Sequence, residues 1–269
     1  PVGGGPGIDD YCSVWIDVGA PPYDVEKEAT LPPLDVEGWV SNPFGNPVGS
    51  AGARSHITED NRGVVKAYTD LYGHYGDPYT SWFANHADGE AYTAFTLVPD
   101  YAENLGKTVD VEIGIHDGGV LQAIEGTESG TSEASVEALY AVYGISEGEW
   151  VASHGGGAVV SDDYSGDPQI TYSGDWDGWT DEFGNPAGVW NEDEDLFEIN
   201  HGDALVFQAK WGNTYVVESD IALLAWASGV AEDDSWGPTT VLADFWNTCE
   251  YEIVTPQGGK VQLRVMPEP

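Results

Sequence analysis

The chain has 269 residues, 41% of them apolar, and carries 47 Asp and Glu against 8 Lys and Arg, a formal net charge of −39. That balance excludes nucleic acid as a partner, because scattered Arg54, Arg62 and Arg264 make no basic patch to neutralise phosphates. Eleven Trp and fourteen Tyr exclude a disordered acidic tail, and the longest apolar run, residues 221–227, is far short of the ~20 residues that span a bilayer as a helix, so no membrane insertion is expected.

Residues 1–8 have several breakers and no periodicity, and read as an N-terminal arm. Residues 11–18 are dense in β-formers and predict a strand, ended by Gly19 and Pro21. Further strands are expected at 64–72 and 91–98, and a hairpin at 108–115 and 120–124 turning through Asp117-Gly118-Gly119. Residues 131–145 fit both periods: Val136, Leu139, Tyr140 and Tyr143 suit a helix face, whereas Leu139, Ala141, Tyr143 and Ile145 alternate, and we read a strand. Gly155-Gly156-Gly157 lacks a following Lys-Ser/Thr and reads as a flexible loop. Strands at 204–209, 215–217, 221–226, 241–245, 249–254 and 260–266 complete the chain. Short strands, 35 Gly, 16 Pro and no long amphipathic helix predict an all-β fold of β-sandwich or jelly-roll type.

Much of this programme occurs twice. Asp35-Val36-Glu37-Gly38-Trp39 followed by Phe44-Gly45-Asn46-Pro47-Val48-Gly49 returns as Asp175-Trp176-Asp177-Gly178-Trp179 followed by Phe183-Gly184-Asn185-Pro186-Ala187-Gly188. At an offset of 139 (183 − 44), Tyr68, Tyr72 and Gly73 fall on Phe207, Trp211 and Gly212. Trp82 pairs best with Trp226, and residues 108–113 return as 248–253 at an offset of 140 (248 − 108). We therefore expect two tandem duplicated β-domains, residues 9–126 and 127–269, after the arm at 1–8. Trp39 and Phe44, with Trp179 and Phe183, would pin the matching loops to the sheets.

Of the two cysteines, Cys249 alternates with Tyr251 and Ile253 on an apolar strand face, so a buried free thiol is expected, the alternative being a Cys12–Cys249 bridge. The sequence contains no Gly-x-Ser-x-Gly, His-Glu-x-x-His or Cys-x-x-Cys motif, and no catalytic residue is nominated. His56, His74, His86, His116, His154 and His201 have no metal-ligand spacing and read as surface or turn residues. The site hypothesis is cation binding: Asp175, Asp177 and Asp181 crowd one turn, with Asp35 and Glu37 at the matched positions, and hard oxygen donors in a loop suit Ca²⁺ or Mg²⁺. An EF-hand is excluded, because the twelfth position from Asp175 is Pro186.

Self-repulsion at this charge weakens a compact state in dilute buffer, whereas in molar salt the Debye length falls to about 3 Å. The composition thus predicts adaptation to hypersaline water. No signal peptide is visible, and Pro1 is what trimming of an initiator Met leaves, which predicts release without an export signal. Taken together, the duplicated Gly- and Trp-rich β pattern, acidic surface and missing catalytic signature resemble the structural proteins of halophilic archaeal viruses. That resemblance implies a non-enzymatic capsid, turret or tail component in the virion, whose partners are copies of itself and other structural proteins. Two other readings stand beside it: a secreted or surface-layer carbohydrate-binding module at the cell surface, and a hydrolase whose site lies among the many carboxylates.

Overall fold

A computed structural model describes residues 11–18, 23–29, 35–42, 48–57, 62–73, 83–126, 130–163, 168–180, 184–192, 194–228 and 239–263. Among the described residues, fifteen strands follow in chain order: β1 (Tyr11–Val18), β2 (Tyr23–Ala29), β3 (Asp35–Asn42), β4 (Val48–Ile57), β5 (Arg62–Gly73), β6 (Phe83–Pro99), β7 (Thr108–Ile124), β8 (Thr131–Gly144), β9 (Glu149–Asp162), β10 (Gln169–Gly174), β11 (Gly188–Asn191), β12 (Leu196–Lys210), β13 (Thr214–Ser228), β14 (Thr239–Val254) and β15 (Gly259–Leu263). The described residues hold no α-helix, only a short 3-10 turn at Ala102–Asn104. The protein is an all-β sandwich. Sheet A has the order β10-β9-β8-β13-β6-β1-β2, with β15 also on β6, and sheet B the order β11-β12-β7-β14-β5-β4-β3; every pairing is antiparallel.

The sheets face each other because the strands alternate with period two. Along β13, Tyr215, Val217, Ile221, Leu223 and Ala225 are buried, while Glu218, Asp220 and Leu224 between them are only partly so. Inward residues of both sheets form one continuous apolar cluster that includes Ile16, Phe95, Val136 and Ile221 from sheet A and Leu71, Ile113, Leu121 and Phe245 from sheet B.

The seam expected near residue 126 lies between β7 and β8, and the halves exchange strands across it, with β7 between β12 and β14 and β14 between β7 and β5. β6 pairs with β13 in sheet A and β7 with β14 in sheet B, so each sheet runs from one half into the other. Strand partners correspond: β1 on β6 is mirrored by β8 on β13, and β5 on β14 by β12 on β7. The matched residues Ile113 and Ile253 stand directly opposite each other in the ladder and both point inward. The match at 139 behaves differently, since Phe207 is buried and Tyr68 is half-exposed among outward neighbours. A slip of one residue turns every side chain to the other face.

Tertiary pairing changes several expected elements. Residues 108–124 form one strand instead of a hairpin: Asp117, Gly118 and Gly119 are laddered to His201, Asn200 and Ile199 of β12, and Gly118 also to Thr248 of β14, which keeps the Asp-Gly-Gly step extended. The pairs 215–217 with 221–226 and 241–245 with 249–254 likewise merge into β13 and β14. The β14 ladder shifts register between Asp244 and Thr248, a bulge that holds Trp246. Gly155-Gly156-Gly157 is no loop but part of β9, and residues 131–144 are strand β8. Cys12 and Cys249 are buried, one in each sheet, and are not bridged to each other. The arm at 1–8, Phe44, Trp82, Phe183 and residues 264–266 lie outside the described residues.

Candidate metal centre

Carboxylates singled out in the first copy are already engaged. The Arg54 guanidinium donates to both oxygens of Asp35, Nε at 2.9 Å and Nη2 at 2.8 Å, and lies 3.8 Å from Glu37. The hydrogen bond from Arg54 is the main cause that holds the Asp35 carboxyl below its usual range. Glu37 also accepts from Trp39 Nε1 at 2.9 Å. Both acids sit on β3, the edge of sheet B farthest from β11. Asp175 and Asp177 are exposed in the turn after β10, and Asp181 lies outside the described residues. Among the described residues, Asp35 and Glu37 thus lie at the opposite edge of sheet B from β11, towards which the turn of Asp175 and Asp177 leads.

The structure brings together a different set. The Asp175–Gly178 turn carries the chain from β10 in sheet A towards β11 in sheet B, with Gly178 in the left-handed region at φ 74°. The second residue of each Asp-x-acid-Gly-Trp copy points inward: Val36 in the first, and Trp176, 1% exposed, in the second. An indole fits there because Gly156 leaves room, a Cβ at that position lying only 2.5 Å from Trp176 Cδ1. Beneath the cap lie His154 of β9 and His201 of β12, 8% and 0% exposed, so neither is the surface histidine that its spacing suggested. Their rings stack at 5.3 Å and 16°, and His201 is flanked by Trp176 at 5.0 Å and Trp179 at 4.9 Å.

Each imidazole faces a carboxylate through Nδ1. His201 Nδ1 is 3.2 Å from Oδ2 of fully buried Asp117, whose Oδ1 accepts from Tyr140 Oη at 2.5 Å. His154 Nδ1 is 3.4 Å from Asp175 Oδ2 and 3.9 Å from Asp203 Oδ2, and the Asp175 oxygen also accepts from Gly155 N at 2.9 Å. Burial, and then the Asp117 charge, push the Tyr140 phenol well above its usual range, so it stays a donor. For His201, an Nδ1–H donated to Asp117 leaves Nε2 as a lone-pair acceptor, and neither His154 Nε2 nor His201 Nε2 has a hydrogen-bond partner. One potential donor atom from each of His154, His201 and Asp203 lies within 4.8 Å of the others. Two imidazoles and a carboxylate suit borderline transition ions, unlike the all-oxygen set expected for Ca²⁺ or Mg²⁺. The legible signal was His201-Gly202-Asp203, since residues i and i+2 of a strand share a face.

A second acidic group lies on the outer face of sheet A, where Tyr92 Oη donates to Glu90 at 2.7 Å and to Glu218 at 3.0 Å. Burial first, and then the adjacent Asp88 carboxylate, raise Asp220 to about 8. The usual unfolded Asp value is about 3.9, so the folded state binds the extra proton. This contribution to stability is complete below pH ~4 and is lost as pH rises towards 8. We expect Asp220→Asn to flatten the decline in urea midpoint between pH 5 and 8; an unchanged slope would assign that decline to other groups.

No known protein family, curated protein or solved structure matches this chain.

Proposed function

We propose that the chain is a non-enzymatic structural protein of a halophilic virus particle, a capsid shell, turret or tail component, which assembles with copies of itself through the outer faces of its sandwich. The observation supporting this reading is an aromatic patch on sheet B. Trp39, 48% exposed, crosses β4 over Gly52, where a Cβ would come within 2.5 Å of the indole, and meets Trp246 at 4.7 Å and Tyr68 at 5.7 Å. Rings of β3, β5 and β14 thus lie together on a surface otherwise rich in carboxylates. Aromatic clusters of this kind form the cores of protein interfaces, and the surrounding negative charge makes association depend on salt. In a particle of this origin, cations and salt screen facing copies.

A second reading, a secreted or surface-layer carbohydrate-binding module, is favoured by the same patch. Asp70 and Asp244 lie close enough to raise the Tyr68 phenol, which burial chiefly pushes up to about 12. Rings beside fixed carboxylates can stack a sugar face and accept from its hydroxyls. Sedimentation velocity across a KCl series separates the two. Wild-type protein is expected to form assemblies in molar KCl, and the Trp39→Ala/Trp246→Ala variant to stay monomeric. A wild-type monomer at every salt concentration, with tryptophan fluorescence that saturates on adding soluble glycan, would transfer the function to the carbohydrate module.

A further inference from the structure

The two buried imidazoles under the tryptophan cap have no role in a surface-driven assembly, and their arrangement has its own chemistry. Buried polar atoms without partners are uncommon in folded proteins, and each calls for a physical reason. Here His154 Nε2 and His201 Nε2 are both such atoms, and one donor atom from each of these rings lies within 4.8 Å of the other and of an Asp203 oxygen. Both rings are turned so that Nδ1 meets a carboxylate, Asp175 for His154 and Asp117 for His201. That pairing is what orients metal-bound histidines: the outer carboxylate selects the tautomer, fixes the ring and raises the basicity of the ligating nitrogen. The Tyr140 hydroxyl in turn holds Asp117.

We infer that His154, His201 and Asp203 bind one divalent transition ion of the Zn²⁺ class, linking strand β9 of sheet A to strand β12 of sheet B. Imidazole nitrogen favours such ions over Ca²⁺ and Mg²⁺, which take oxygen donors. Three protein ligands leave further positions for water, and the exposed carboxylates of Asp175 and Asp203 give the ion a route in from solvent. The ion does for this end of the sandwich what a disulfide does elsewhere, Cys12 and Cys249 not being bridged to each other. It also explains why the aromatic side chains of Trp176 and Trp179 close over His201.

The test uses the full chain, stripped with a chelator and dialysed into molar KCl, where diffuse binding to surface carboxylates is screened. Isothermal titration with Zn²⁺ is expected to give one ion per chain, and Co²⁺ to give a visible d–d absorption band that Zn²⁺ abolishes. Zn²⁺ at a hundred times its Kd should raise the Tm by about 5–10 °C, with Ca²⁺ and Mg²⁺ giving no comparable rise. Asp203→Asn changes an exposed side chain and keeps the fold, so it tests the site without depending on His201→Gln folding. Together with His154→Gln, it should weaken Zn²⁺ binding at least tenfold. Absence of the Co²⁺ band, an equal Tm rise from Ca²⁺, or unchanged Zn²⁺ binding in Asp203→Asn and His154→Gln would each overturn the inference.

Discussion

Trp176→Ala is expected to lower the unfolding free energy by about 3–5 kcal/mol, the range for emptying a buried aromatic site. Several features put it at the upper end. The indole is the largest fully buried side chain of the second half, and it closes the space between β9 and β12. Its floor is Gly156, which offers no side chain to fill the void, and its loss exposes the His154–His201 stack and the buried Asp117 carboxylate to water. The complementary change, Gly156→Val, should be destabilising for the opposite reason, because even a Cβ meets the indole at 2.5 Å. Urea unfolding followed by far-UV circular dichroism reads both, and a Trp176→Ala loss below about 1 kcal/mol would mean that the turn does not seal this end of the sandwich.

Thermal stability should rise steeply from dilute buffer to molar KCl, with an increase in Tm on the order of 10 °C, if screening relieves several kcal/mol of self-repulsion at about 2–4 °C per kcal/mol. The net charge of −39 supplies the repulsion, and little of it is cancelled internally. Among the described residues, the ion pair between Arg54 and Asp35 is partly exposed and contributes at most about 1 kcal/mol. Differential scanning calorimetry over a KCl series measures the effect; sucrose, which leaves charges unscreened, is the control. A Tm that does not respond to KCl would remove the basis for a hypersaline origin.

The amino-acid sequence determined the class of this fold, because alternation is a local property. Residues 11–18 alternate and form β1, and the matched pieces 108–113 and 248–253 lie in the two central strands of sheet B with Ile113 facing Ile253. It also determined the charge, on which the expected response to salt rests. Strand lengths were decided by tertiary structure: Asp117-Gly118-Gly119 has the chemistry of a turn, yet ladders on both sides hold it straight within β7. The triple glycine 155–157 reads as a loop until Trp176 is placed, since room for an indole is a property of two strands and a distant turn. The candidate centre was hidden for the same reason. His154 and His201 are separated by 47 residues (201 − 154) and belong to different sheets. Only the packing of β9 against β12, under a cap supplied by the β10–β11 connection, brings the two imidazoles to one place beside Asp203.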